Sequence, residues 1–453
     1  MARRKSSDID KKDIQIEAPI EVMPIGQAAE EAILDAAEYL SCSRAICHVI
    51  DGNKCSTRRL IWSALQFPKG ELQPSVKIIN GMASYHPHSL DGITGLHAVL
   101  VKSGVLKGAG SFGTNSILSN GGGGDKGEPA APRYTKSALS DLYYEIIKPL
   151  LISVPQEASP VGPMEIKYVP TPVPMCLILN SLVSGIAIGI STNYPNFSPK
   201  SLYTAMVKDD PSYLEPNVDL ILDKQESDLK GLWERGKAKI VYSYKLSKYV
   251  NEDGKQGFLF EGSTDLFSPN LRKINKYVDK GEVFIEDMTT KNGPRMFVGL
   301  VNNRGISIDN LEKLCRQCCY DATVYNLNVT DGKTCFRIPL RDWLRYTYDN
   351  YINLLKEVND KNIDKVRFDI AVQEALPLIS NYIINENPKA SDTEIMKVFQ
   401  MPKEIVEAVM AKPISQLRKN KDNSERIKAL KDKLKELKKF DPVAYTEEII
   451  NKL

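Results

Sequence analysis

The sequence predicts an α+β, multidomain chain, and three observations carry the prediction. Several short helical patterns with basic residues crowd the N-terminal third. Charged and apolar residues alternate through 236–300, as in antiparallel strands. From Leu340 onward apolar residues recur at the spacing of long helices. A length of 453 residues is too great for one ordinary core and implies several domains. The hydrophobic share of 42% and charged share of 26% are those of a globular protein. The net charge of +3 is small for this size, so any nucleic-acid surface must be a local concentration of Lys and Arg.

The pattern divides the chain at 1–26, 27–155, 156–339 and 340–453. Residues 1–26 are charged and rich in Lys, Asp, Ile and Pro, and read as a flexible arm that a partner could order. From Gly26 to Ile50 the positions Ala29, Ile33, Ala36, Ala37 and Leu40 keep helical spacing. Thr57 to Leu65 and Ser75 to Met82 read as further short helices, parted by the breaker Pro68-Lys69-Gly70. Close-set basic helices of this kind suit a helix-turn-helix or winged-helix module. Residues 108–132, with glycine at 121 to 124, must be a loop, and Ser137 to Leu151 is expected to be a helix.

Residues 160–175 are proline-rich and extended. Lys239–Tyr244, Gly257–Phe260 and Met296–Val301 are expected to form one antiparallel sheet, with a helix near Asn270 to Asp279. Leu340 to Val358 and Ser424 to Phe440 read as long or coiled-coil helices. Residues 363–419 between them are helical and proline-punctuated, so a small helical domain at the tip of two antiparallel helices is the economical arrangement.

Several function classes lose support here. Met1-Ala2-Arg3-Arg4-Lys5 is basic, but polar residues follow where a signal peptide needs an apolar core. The most apolar stretch, Met175 to Ile190, contains Asn180, Ser181 and Ser184 and falls short of the ~20 residues that span a bilayer. No membrane segment is read, and a cytoplasmic location is expected. Eight scattered cysteines suit a reducing compartment. The cluster Cys315, Cys318 and Cys319, followed only by Cys335, reads as buried thiols or, alternatively, a zinc site. Gly231 to Ala238 copies phosphate-loop glycines and lysine but lacks the final Ser or Thr, and Asp8-Ile9-Asp10 has no room for a supporting sheet.

The chemistry-bearing residues lie elsewhere. Tyr134 is one tyrosine of 20, and its ordinary role would be packing. A phenol attacks phosphorus poorly unless cations favour its phenolate, and Arg133 beside it offers a bidentate phosphate partner. That pair suggests in-line transesterification through a phosphotyrosine. His86 and His88, two of only four histidines, are either exposed rings of a rigid turn or contacts to the same strand. Arg44, Lys54, Arg58, Arg59 and Lys77 are either solvated helix faces or DNA contacts grouped on one module.

Ser43-Arg44-Ala45, Asp51-Gly52-Asn53-Lys54-Cys55-Ser56-Thr57-Arg58-Arg59, Tyr85-His86-Pro87-His88, Gly110-Ser111-Phe112-Gly113, Arg133-Tyr134-Thr135 and Ser184-Gly185-Ile186-Ala187-Ile188-Gly189 follow one another in order. These blocks resemble the breakage-reunion subunit of type IIA topoisomerases, the group that includes gyrase A, the C subunit of topoisomerase IV, and the medium subunit of T-even-type phage enzymes. The resemblance implies a winged-helix DNA-cleavage domain, an α/β tower, and a long antiparallel coiled coil ending in a helical C-gate. It implies that Tyr134 is the nucleophile, with Arg133, Arg44, Arg59, His86 and His88 around the scissile phosphate. Lys54, Arg58 and Lys77 would hold the DNA backbone. Ile186 would wedge between base pairs, unless it is a strand core residue.

The resemblance further implies double-stranded DNA as substrate, a homodimer through the C-gate, and an ATPase and metal-binding partner that carries both Mg2+ and ATP. The expected outcome is ATP-dependent strand passage, and compactness points to a viral or phage source. Read as ending after the returning helix, the chain is expected to lack a DNA-wrapping domain, so relaxation and decatenation are the expected outputs. Departures exist. Cys55-Ser56-Thr57 precedes the Arg pair where the family has Pro and a polar residue, and the four-glycine loop is long. Asp91 and Gly95 stand where bacterial enzymes anchor fluoroquinolones, which puts that sensitivity in doubt. A non-catalytic DNA-bending scaffold on the same fold is the alternative. A tyrosine recombinase is a weaker one, since the coiled-coil ending supplies no set of catalytic arginines.

Overall fold

A computed structural model describes residues 24–85, 90–113, 129–181, 183–217, 220–262, 271–289, 295–302, 305–412 and 423–453. The fold is α+β and is built on three apolar cores.

The first core lies among the helices Cys55–Ala64, Ser75–Ala83 and Leu90–Lys102. It is closed by an antiparallel sheet of Gln73–Pro74, Lys136–Leu139 and Leu106–Ala109, in that order. Leu60, Ile61, Ile78, Met82 and Leu100 are fully buried there, so these helices hold together by one shared apolar face. The helix expected over Ser137 to Leu151 is shorter. Lys136–Leu139 pairs into the sheet, Ser140 caps the N-terminus by accepting from the Tyr143 amide, and the helix proper is Asp141–Ile147. The helix read from Gly26 to Ile50 is also shorter, Ile25–Leu40. It stops because the chain passes through a π-turn, Ser41–Ala45, and Cys47–His48 then pairs in parallel with Val329 and Thr330.

That pairing carries Cys47 and Val49 into the second core, with Tyr194, Trp233, Phe258, Phe260 and Trp343. The Trp343 indole N–H donates to the Val49 carbonyl at 2.8 Å. Residues 27–155 therefore contribute to two cores. The strands expected as one sheet over 236–300 divide between two. Lys237–Ser243 joins Val183–Ala187, Ile190–Tyr194, Tyr320–Asn326 and Ile221–Leu222 in a five-stranded sheet. Lys245–Val250, Gln256–Glu261, Arg295–Leu300 and Val283–Asp287 form a four-stranded one. The split falls at Tyr244, whose amide bonds the Cys319 carbonyl. Gly231 falls inside the helix Leu229–Arg235, which Gly236 closes at φ 65°, so the phosphate-loop look-alike is a helix and its cap.

Beyond Pro339 a single helix of 42 residues runs from Leu340 to Asn381, well past the predicted end at Val358. The helix Ser424–Lys438 returns along it: Asn359 bonds the Leu437 carbonyl, and Glu374 pairs with Lys431. At the tip Val372, Leu376 and Ile379 bury Ile395, Val406 and Val409 of the helices Asp392–Phe399 and Lys403–Met410, the third core. Among the described residues no helix is long and apolar enough to cross a membrane. Cys315, Cys318 and Cys319 are buried, and burial pushes each thiol up, Cys319 to about 12.

Candidate active site

Tyr134 ends the 3-10 turn Pro132–Tyr134 and is 70% exposed. Its neighbours explain the exposure. Thr135 is buried; its carbonyl accepts from the Ser75 amide at 2.9 Å and its hydroxyl donates to Ser75 Oγ at 2.8 Å. With Thr135 and Ser137 turned inward, the tight turn before them leaves Tyr134 outside. The Arg133 guanidinium lies over the phenol ring, 4.7 Å from its centroid. Arginine and hydroxyl are thus delivered together, on an exposed turn with a rigid foundation.

Arg44 is exposed on the Ser41–Ala45 turn. It lines a cleft of about 790 Å³ with Lys54, Ser56, Thr57, Ile93 and Ile186. No side chain caps the helix Cys55–Ala64 at this end, so its positive dipole end faces the same space as Arg44 and Lys54, an arrangement that favours an anion. The hairpin Val183–Ala187/Ile190–Tyr194 forms the far wall. Lys54 Nζ donates to the Ser184 carbonyl and ties the hairpin to the helix start. Gly185 packs so closely on Ala45 that a Cβ would collide with the Ala45 carbonyl oxygen. At the hairpin end Ile186 is 83% exposed, beside a turn made by Gly189 at φ 76°. Ile186 is therefore no core residue.

Arg58 and Arg59 are buried, and both line a second cleft of about 360 Å³ with His48, Lys167 and Lys333. Arg58 Nη1 donates to the Lys167 carbonyl at 2.6 Å. Arg59 forks onto Glu165, with Nε to Oε2 and Nη2 to Oε1 both at 2.7 Å, and both side chains are buried. The cause is helical spacing: Ser56 and Thr57 take the cleft side, which rotates the two arginines toward the hairpin Gln156–Ala158/Met164–Ile166. Lys77 is exposed on the helix Ser75–Ala83. His86 and His88 lie outside the described residues. Arg133 and Tyr134 are not among the residues that line the cleft.

Other contributors escaped the sequence reading. Asp51 is fully buried, accepting the Asn53 amide at 2.9 Å and the Val169 amide at 2.8 Å, and so sets the turn that aims Lys54. Its place before Gly52 was the available signal. His97 is buried, and burial pushes it down to about 4 from 6.5. The unfolded chain takes up this proton below 6.5 and the folded chain only near 4. The stability present above pH 6.5 is accordingly lost as pH falls toward 4, on the order of 3 kcal/mol. Melting temperatures measured from pH 7 to 4 should decline more steeply for the wild-type chain than for His97→Gln; equal slopes would contradict this.

Residues 44–220 match the family model that describes the A subunit of DNA gyrase/topoisomerase IV. The A subunit of DNA gyrase from Brachyspira hyodysenteriae is 22% identical across 95% of this chain and 54% of its own length. The A subunit of DNA topoisomerase 4 from Mycoplasma pneumoniae is 23% identical across 74% of the chain and 44% of its own length. DNA topoisomerase 2 of Leishmania chagasi is 32% identical across 36% of the chain and 13% of its own length. These matches define the class to which the chain is similar, the A subunits of DNA gyrase and topoisomerase IV. Within that class, the resemblance of its sequence blocks to the type IIA breakage-reunion subunits is borne out by these matches. It spans about half the length of the gyrase relative it matches.

Proposed function

We propose that this chain is the DNA-cleaving and religating subunit of an ATP-dependent type II topoisomerase. The observation that carries the reading is Tyr134, held exposed with the Arg133 guanidinium against it on a turn whose next residue is buried. The phenolate oxygen attacks phosphorus in a DNA strand, an O–P bond forms, and the 3′ oxygen leaves. The 5′-phosphotyrosine keeps the bond energy, and the 3′ oxygen reverses the step. Arg133 on the nucleophile's turn and Arg44 and Lys54 in the cleft neutralise the charge that develops on the phosphate. His86 and His88 are assigned to the same phosphate from the sequence resemblance. Arg59 is assigned a supporting role through Glu165.

Tyr134 does not line the cleft that Arg44 and Lys54 share, and the reading takes a homodimer in which each tyrosine serves the partner's cleft. The exposed apolar residues Leu378, Ile384 and Val398 near the helical tip support dimer contact there, as a C-gate. The helix Ile25–Leu40 supports a further partner: it buries no residue, and Ile33 and Leu34 are 57% and 60% exposed. Magnesium and ATP are assigned to that ATPase and metal-binding partner, where the metal would act as a Lewis acid on the scissile phosphate. The three helices and three strands of the first core support a winged-helix reading, and the five- and four-stranded sheets a tower.

The test combines the chain with its ATPase partner, magnesium, ATP and supercoiled plasmid. Relaxed plasmid is expected, and protein-linked linear DNA after a detergent quench. DNA that is bound and bent but never cleaved would favour the scaffold alternative. Ile186 adds a separate expectation. An apolar wedge costs a few kcal/mol of unstacking and is repaid by bending. Ile186→Ala should leave melting unchanged, since the side chain is 83% exposed. It should reduce bending, read by energy transfer between duplex ends, and lower cleavage by about tenfold. Undiminished bending would remove the wedge.

A further inference from the structure

A buried chain of hydrogen bonds starts directly behind Tyr134. The Thr135 hydroxyl donates to Ser75 Oγ at 2.8 Å, Ser75 donates to Ser137 Oγ at 3.2 Å, and Ser137 Oγ lies 2.7 Å from His97 Nε2. Their exposures are 3%, 0%, 0% and 2%, so water does not compete for any of these bonds. Each hydroxyl has one hydrogen. Donation running outward from Thr135 leaves Ser137 in need of a final acceptor. A neutral imidazole with its proton on Nδ1 provides one at Nε2. The alternative for the Thr135 hydrogen is the Pro132 carbonyl at 3.4 Å, a poorer bond back into its own turn.

The chain joins three elements. Thr135 leads into the strand Lys136–Leu139; Ser75 opens the helix Ser75–Ala83, which leads toward His86; His97 sits in the helix Leu90–Lys102. Phe112 packs on the imidazole with ring centroids 5.7 Å apart, and that ring leaves no space for a Cβ on Gly108. His97 therefore has little freedom to swing away from Ser137. Tyr134 itself is exposed, so its aim depends on what anchors the residue after it.

We infer that His97 is a positioning residue for strand cleavage, fixing the Tyr134 turn through Ser137, Ser75 and Thr135. The inference rests on the role proposed for Tyr134. A nucleophile misplaced by about 1 Å loses on the order of 100-fold in rate. The test uses the full chain with its ATPase partner and magnesium, and measures single-turnover cleavage, DNA affinity, and hydrogen exchange of the peptide that contains residues 132–137. His97→Phe keeps ring packing and removes the acceptor; it should slow cleavage about 10- to 100-fold, leave DNA affinity within about twofold, and speed exchange at 132–137. His97→Gln restores an acceptor and should recover most of the rate. Should His97→Phe not fold, Ser137→Ala breaks the same chain without altering the imidazole and should give the same loss.

Wild-type cleavage rates in His97→Phe and Ser137→Ala would overturn the inference. So would a His97→Gln rate as low as that of His97→Phe, because volume and not the acceptor would then matter. The two readings fail differently. Without any Tyr134-linked DNA from the wild-type chain, the functional reading falls and this inference with it. With that adduct present and His97→Phe unimpaired, only the relay falls.

Discussion

Replacing Tyr134 with phenylalanine is expected to abolish the protein–DNA linkage while leaving DNA binding intact. The side chain is 70% exposed and makes its close contact with Arg133 through the ring, which phenylalanine retains. The fold should therefore not notice the change, and melting temperature should stay within error. The chemistry should notice it completely, because no other group on the turn Pro132–Tyr134 can form the phosphoester. Loss of a nucleophile costs on the order of 10⁴-fold or more. Detergent-quenched plasmid cleavage, run beside a gel-shift titration, separates the two effects. Persistent covalent adduct in Tyr134→Phe would move the nucleophile elsewhere.

The second large effect is on stability. Glu165→Ala should cost about 3–5 kcal/mol, because it leaves the buried Arg59 guanidinium without its carboxylate. Burial opposes the Arg59 charge, yet the Glu165 hydrogen bonds and the electrostatic attraction of neighbouring groups, Glu165 among them, together outweigh it and hold the guanidinium above its ordinary range. Removing Glu165 takes away that carboxylate while burial goes on opposing the charge. Replacing both partners with apolar residues, Arg59→Met with Glu165→Leu, should recover most of the loss, since no unpaired charge remains. Urea unfolding of the single and double variants measures this. A Glu165→Ala loss below about 1 kcal/mol would mean that the pair is wet and weak. Cleavage should fall in Glu165→Ala through displacement of the helix Cys55–Ala64, whose N-terminus carries Lys54 into the cleft.

The same pair marks where the sequence stopped being legible. Arg58-Arg59 reads as a basic stripe because nothing local shows a partner. Glu165 lies 106 positions away in a proline-rich segment, and only folding brings the two together. Tyr134, Arg44 and Ile186 sit exposed at or beside short-range turns, and the blocks that carry them are contiguous in the sequence. Helical periodicity located Cys55–Ala64, Ser75–Ala83 and the start of the Leu340 helix. It overran at Ile50 and at Ser137, where strand pairing with Val329 and with the Gln73 strand took the backbone instead. Alternation identified the strands of 236–300 but could not assign them to two sheets, because pairing partners such as Tyr320–Asn326 and Ile190–Tyr194 come from far along the chain. Nothing local in the sequence marks His97. Its meaning lies in Ser137 and Ser75, which neither spacing nor composition connects to it.

The most direct measurement is peptide mapping of the trapped complex. The full chain, its ATPase partner, magnesium and duplex DNA are quenched with detergent, digested with nuclease and protease, and analysed by mass spectrometry. A residual nucleotide should be found on the peptide containing Tyr134, bonded through the phenolic oxygen to a 5′ phosphate. Cleaved DNA whose nucleotide remnant sits on any other residue, with Tyr134 unmodified, would contradict the assignment.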